Sequence, residues 1–312
     1  MPTNILNVLP PQDVADLLGK LTVKGLRLGT LVQRYDSKTF LSGRGRTAYL
    51  PVHSALIARD RDLDEVTAAV VVDQLNEKSE PISLETHAIS VTGLSEGELS
   101  LDLQNFSNQV LMPQSDAVVD RAEEAVARVL NGASVSPISW NPDAPLKTFS
   151  AARAELRRRG VDVAAANLVC VAGGNVADAL LDSGVLDFDK TGSADALRNG
   201  TPGSVRGFEI VESGRVDDDA LHFFVREGVY LATRAPELPQ SAKGGISNED
   251  SVELRWISDY DADHTRDRSV VSTFLGAGLA PLYKITRDYT AGTVAHEKVT
   301  GGALVSVDTS AA

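Results

Sequence analysis

Seven of the ten residues in DYDADHTRDR (259–268) can carry charge: four aspartates, two arginines and a histidine. Asp259, Asp261 and Asp263 stand at positions 1, 3 and 5 of a calcium-loop pattern, with Asp267 at position 9. That loop also needs a glycine at position 6 for its turn and a bidentate acid at position 12, and those places hold His264 and Val270. Arg255, Arg266 and Arg268 nearly balance the acids. Mixed signs at this density read as ion pairs, within one chain or between chains, which set register more than they add affinity. The segment is read as a contact surface, with no metal or catalytic role.

The other places where chemistry could sit are weaker. VAGGNVADALL (171–181) is a strand, two glycines and a helix start, without the full G-x-G-x-x-G of a dinucleotide site or the G-K-[ST] of a phosphate loop. A tight turn is the simpler reading. Histidines 53, 87, 222, 264 and 296 are scattered, with no H-E-x-x-H and no paired ligand spacing. No G-x-S-x-G marks a nucleophile elbow. The single cysteine, Cys170, lies in the apolar run NLVCVAG and reads as a small buried hydrophobe. No catalytic residue, metal or cofactor is assigned, and the chain is not expected to be an enzyme.

Charge narrows the partners. The formal net charge is −13, with 43 acidic against 30 basic residues. Tight nucleic-acid binding needs Lys and Arg against phosphates, and this balance opposes it. No apolar run approaches the ~18 residues of a membrane helix.

These segments must be positioned by the elements around them. At 312 residues the chain can form two packed lobes. Residues 1–50 read as an arm, with a short helix at 10–21 whose stripe is Val14, Leu17, Leu18 and Leu21. Two β-prone runs, AYLPVHSALIA (48–58) and EVTAAVVVDQL (65–75), flank the charged RDRDLD, so 51–83 reads as a projecting hairpin. ISLETHAISV (82–91) alternates like a half-buried strand. A long helix follows at 103–130, with Asp102 as N-cap, a kink at Pro113 and Gly132 as a left-handed C-terminal residue. Residues 146–250 read as an α/β lobe, with a polar, glycine-rich connection at 186–206, and VELRWIS (252–258) onward returns as strands broken by the charged segment.

The order of these elements, and the blocks GELSLDLQNFSNQVLMPQSDAVVDRAEEAV, LKTFSAARAELRRRGV, GSVRGFEIVES, VYLATRAPELP and RWISDYDADHTRDRSVVSTFLGAG, resemble the major capsid proteins of tailed double-stranded DNA phages, in the branch common among phages of actinobacteria. The resemblance spans roughly residues 25–285 and implies an α+β chain of the HK97-like fold. Its parts would be an N-terminal arm (1–50), an extended loop lying over a neighbouring subunit (51–83), a peripheral domain around the spine helix (84–145 and 250–285), an axial domain (146–249) and a C-terminal segment (286–312). The glycine-rich connection would lie near the centres of pentamers and hexamers.

The same resemblance implies self-assembly in the host cytoplasm into an icosahedral virion shell that encloses the genome without reading its sequence, with a portal at one vertex and room for a decoration protein. Only ESGRVDDD separates GFEIV from ALHFFV, which leaves no space for the extra axial domain that some members carry. The arm begins almost at Met1, so a separately encoded scaffolding protein is the expected assembly partner. Some capsids of this fold crosslink a lysine of the extended loop to a neighbour's asparagine; Lys78 lies in that region, though an exposed charge is the simpler reading. Inter-subunit contacts are expected at Arg59, Asp60, Arg61 and Asp62 of the loop and at Arg255 and the Asp259–Arg268 segment. An encapsulin-like compartment shell is the nearest rival, and a cytoplasmic α/β enzyme built on 146–250 is the rival from another class.

Overall fold

The computed structural model describes residues 10–40, 45–64, 67, 69–75, 77–95, 106–183, 203–240 and 242–309. The apolar stripe after residue 110 forms helix α2 (Met112–Asn131), whose 20 residues span about 30 Å. Val118, Val119, Ala122, Val126, Ala127 and Leu130 lie on its buried face. A π-helical turn at Ser107–Leu111 runs directly into it. Pro113 therefore stands in the first turn of α2, where its missing N–H costs least, and the irregularity expected at the proline is taken up in the widened turn before it. The proposed N-cap, Asp102, lies outside the described residues. Gly132 is not left-handed: its φ is −77° and its ψ −2°. Its value is close approach, since a Cβ there would stand 3.0 Å from the Arg128 carbonyl oxygen.

One face of α2 packs on a six-stranded sheet. Its strands run in the order β1 (Gln33–Tyr35), β9 (Val229–Arg234), β12 (Arg266–Leu279), β11 (Val252–Asp261), β10 (Lys243–Glu249), with β4 (Thr86–Ser95) beside β12. Only the β1–β9 pair is parallel. Helix α1 (Pro11–Gly25) lies on the same face and buries Val14, Ala15, Leu18 and Thr22, while Leu17 of the expected stripe is exposed. The helix is rolled so that its small residues meet β10. A Cβ at Gly245 would sit 2.8 Å from the Pro11 carbonyl oxygen and 2.9 Å from the Ala15 Cβ, so the contact requires glycine. Trp256, Leu254 and Val271 of the sheet complete this core with Phe106, Val110 and Val118.

The second sheet has the order β15 (Leu304–Asp308), β8 (Ala220–Val225), β5 (Leu168–Ala172), β7 (Phe208–Glu212), β6 (Ser204–Val205). Helices α3 (Pro145–Arg158) and α4 (Gly174–Asp182) share a core with one face, where Phe223 meets Phe149 and Phe208 edge-on at 5.1 Å. The opposite face, through Val169, Val171, Phe224 and Leu304, shares a core with Val126, Ala127 and Leu130 of α2. One helix thus serves two sheets.

The stretch 229–249 does not pair with the second sheet: β9 and β10 hydrogen-bond into the six-stranded sheet. The chain changes sheets at the 3-10 turn Arg226–Gly228. ALHFFV and VYLATR are both almost wholly buried, so apolar periodicity carries no sign of which sheet each joins. In the C-terminal segment, β15 is an edge strand of the second sheet. The projecting hairpin pairs β2 (Thr47–Val52) with β3 (Lys78–Ser83), and the described residues of the β-prone run 65–75 form no strand. Of the glycine-rich connection, residues 186–202 lie outside the described residues.

Candidate functional site

The charged decapeptide is the tip of the β11–β12 hairpin. Directly opposed residues in an antiparallel pair share a face, so Asp259 meets Arg268 and Asp261 meets Arg266 on the side away from α2. The four-residue connection 262–265 closes with Thr265 at φ 45°. Arg268 grips Asp259 with both ends of its fork, Nε to Oδ1 at 3.0 Å and Nη2 to Oδ2 at 2.7 Å, which raises the guanidinium pKa further. The Asp261 carboxylate receives His264 Nδ1 at 3.0 Å, with Arg266 Nε at 3.5 Å and Arg268 Nη1 at 3.7 Å. Burial works to raise the Asp261 pKa, but the His264 hydrogen bond and the nearby positive charges outweigh it and hold the carboxyl below its usual value.

The remaining residues of the segment stand apart from this ladder. Asp263 is exposed in the turn, and Asp267 lies on the opposite face across from Tyr260. Arg255 donates from Nη1 to the Glu237 carbonyl at 2.6 Å and from Nε to Ser272 Oγ at 3.2 Å. The calcium-loop spacing therefore does not bring its acids together. Among the described residues no three His, Cys, Asp or Glu side chains are placed to hold a metal ion. The same sheet face continues into Ile89 and Val91 of β4, which are 54% and 53% exposed.

The loop beyond β2 carries the second set of expected contacts. Arg59 reaches across it to Asp73, with Nη2 to Oδ1 at 2.7 Å and Nη1 to Oδ2 at 3.0 Å. Asp60, Arg61 and Asp62 are exposed. So are Leu63, Val70, Val71, Val72 and Leu75, with Leu63 fully exposed. Bare aliphatic side chains in such number on one segment are the usual mark of an interaction surface. The sequence emphasised the charges here; the apolar residues are the stronger signal, and the run AVVVDQL was visible all along.

A hairpin of β13 (Tyr283–Asp288) and β14 (Thr293–Lys298) lies against the loop. Arg287 Nε donates to the Leu56 carbonyl at 2.9 Å, and Arg59 Nη2 to the Gly292 carbonyl at 3.1 Å. Glu80 of β3 accepts hydrogen bonds from the Tyr283 hydroxyl and from Lys298. Lys78 stands over the Tyr283 ring, 5.4 Å from its centre.

The other chemical candidates resolve structurally. Cys170 is completely buried, and burial pushes its thiol pKa well up. The Gly173–Gly174 turn opens α4 against chain rather than ligand, since a Cβ at Gly173 would lie 2.2 Å from the Asp217 carbonyl oxygen. Two buried polar groups carry no local sequence signature. Glu123 of α2 binds the backbone of the arm, and Gln114 binds Ser269 and the Ser90 carbonyl of the sheet.

No protein-family model and no curated protein matches the sequence. Solved structures do match in three dimensions. A chain from Mycobacterium phage Che8 is 17% identical with a TM-score of 0.55, over 81% of this chain and 87% of that one. The capsid of cyanophage P-SCSP1u gives 10% identity and a TM-score of 0.59, over 90% and 86% of the two chains. A virus-like particle from Pyrococcus furiosus gives 12% identity and a TM-score of 0.52, over 95% and 98%. At these identities the likeness is one of architecture, and the architecture is the HK97-like fold of phage capsid proteins.

Proposed function

We propose that the chain is the major capsid protein of a tailed double-stranded DNA phage, closing as pentamers and hexamers into an icosahedral shell around the genome. The observation that carries this reading is the projecting loop with Leu63 and Val70–Val72 bare to solvent, attached to an HK97-like body. Exposed aliphatic side chains on an extended arm are stabilised only when a neighbour covers them, and a shell supplies identical neighbours around every axis through head-to-tail contacts.

In this reading the loop lies over an adjacent subunit. Arg59, Asp60, Arg61 and Asp62, together with Arg255 and the Asp259–Arg268 tip, select its register by charge. The six-stranded sheet with α1 and α2 forms most of the peripheral domain, and the second sheet with α3 and α4 forms the axial domain. The net charge of −13 suits a shell that encloses DNA without gripping phosphates. A separate scaffolding protein, a portal at one vertex and a decoration protein are the partners this reading supplies, with assembly in the host cytoplasm and the virion as destination.

Electron microscopy of the protein, expressed with and without its genomic neighbours, tests the proposal: closed icosahedral particles are the expected product. A discrete small oligomer with no tendency to close would overturn it. The virus-like particle from P. furiosus shares the fold, so particle contents decide between a phage shell and a compartment. DNA supports the first, and protein cargo the second.

A further inference from the structure

We propose that the β13–β14 hairpin is a brace that fixes the direction in which the extended loop leaves the subunit. The loop cannot do this through its own pairing. Its two limbs are hydrogen-bonded as strands only between Thr47–Val52 and Lys78–Ser83, and none of the described residues of 53–77 is in a strand. A two-stranded ribbon that ends in unpaired chain has no stiffness of its own.

The brace touches the loop at two separated levels. At its base, Tyr283 and Lys298 are directly paired across the hairpin, and both donate to Glu80 on the returning limb. Near its tip, Arg287 donates to the Leu56 carbonyl on the outgoing limb, and the Gly292 carbonyl accepts from Arg59. Tyr283 and Arg287 stand four residues apart on one strand of the brace, so the two levels are about 14 Å apart at ~3.4 Å per residue. One fixing would leave a pivot, whereas two at this separation set a direction. Arg59 also closes the loop onto Asp73, so holding Arg59 holds both limbs. The brace is itself anchored to the body: Leu282 at its base packs against the core of the second sheet, and Lys284 packs against Gly160, where a Cβ would meet its side chain at 3.1 Å.

The inference deepens the shell reading by naming what aims the loop, and its test does not need a shell. Spin labels at Leu63→Cys and Ala117→Cys report the distance from the loop tip to α2, and the sealed Cys170 stays unlabelled. The full-length chain, with labelled protein diluted into unlabelled, should give a narrow distance distribution, roughly doubled in width by Glu80→Gln with Arg287→Ala. An unchanged width in the double variant would sink the brace. If the double variant lowers the melting temperature of the whole subunit, Arg287→Ala alone is measured, and it too must broaden the distribution. Particle formation is scored separately on unlabelled, unaltered protein. Failure there removes the shell reading and leaves the brace standing, while normal widths in the variants do the reverse.

Discussion

Glu123, near the middle of α2, holds the backbone of Leu28 in the arm: Leu28 N–H donates to Oε2 at 2.9 Å. The N–H groups of Arg27 and Gly29 donate to Oε1 of the same carboxylate, each also at 2.9 Å. Glu123 is 3% exposed, so three backbone donors in a turn of the arm depend on one buried side chain of the helix. The arm is therefore clasped by its own subunit at 27–29.

Removing that clasp should be expensive. Glu123→Ala leaves two buried donors and one part-buried donor unpaired; at ~1–3 kcal/mol for each of the two buried ones, with less for the third, a loss of at least about 2–6 kcal/mol in unfolding free energy is expected. Glu123→Gln retains one carbonyl acceptor and should cost less. Urea denaturation of the soluble subunit measures both. Equal stability of Glu123→Ala and the unaltered chain would mean that the arm is held elsewhere.

The sheet is tied to α2 by a second buried relay. Trp256 Nε1 donates to Ser269 Oγ at 2.9 Å, and Ser269 Oγ donates to Gln114 Oε1 at 2.7 Å. Ser269→Ala strands a donor and an acceptor together, with an expected cost of about 2–3 kcal/mol. Gln114→Ala in the Ser269→Ala background should cost much less than it does alone, because the two residues act through one network. Full additivity of the two losses in a denaturation series would show that they are independent.

What the sequence made legible follows from where each signal resides. The stripe from Val118 to Leu130 is a local pattern and its helix forms there, whereas the run 82–91, expected as one strand, divides between the end of β3 and the start of β4, with Leu84 and Glu85 in neither. Sheet membership is not local. Phe224 and Leu231 are equally apolar, and only pairing with Leu304 or Ala277 assigns one to each sheet. The charged tip was visible as a cluster, but the pairing of Asp259 with Arg268 depends on the turn at 262–265, which fixes the register. Nothing local distinguishes Glu123 from the other acids of an amphipathic helix, since its partners lie 94 to 96 residues away and are backbone atoms, which leave no trace in composition.

His222 should make stability depend on pH. It is 1% exposed, and burial lowers its pKa from 6.5 to about 4, with the Asp217 charge opposing in part. A depressed folded pKa means that the unfolded chain binds the extra proton between these values, so stability rises with pH from about 4 to 6.5 and is lost on acidification through that window. The expected contribution at pH 5, relative to pH 7.5, is a loss of about 2 kcal/mol. His222→Phe should abolish that part of the pH dependence, read as the difference between the urea profiles of the variant and the unaltered chain. Parallel profiles would place the titration on other groups.

The charged tip separates contacts within a subunit from contacts between subunits. Arg266→Glu with Arg268→Glu sets new acids beside Asp259 and Asp261 and should abolish closed particles in electron micrographs, provided the isolated subunit keeps its circular dichroism spectrum. That variant alone leaves two causes entangled, because the intrachain pair is lost along with any charge offered to a neighbour. Exchanging the partners, Asp259→Arg with Arg268→Asp, keeps an opposite-sign pair across the same position of the ladder and inverts the polarity seen from outside. An intrachain role alone predicts that the exchange restores assembly. A register-setting role at an interface predicts folded subunits that still fail to close, because charge complementarity between partners depends on the sign each one presents. The second outcome is expected, and particles of normal yield from the exchanged chain would confine the ladder to its own subunit.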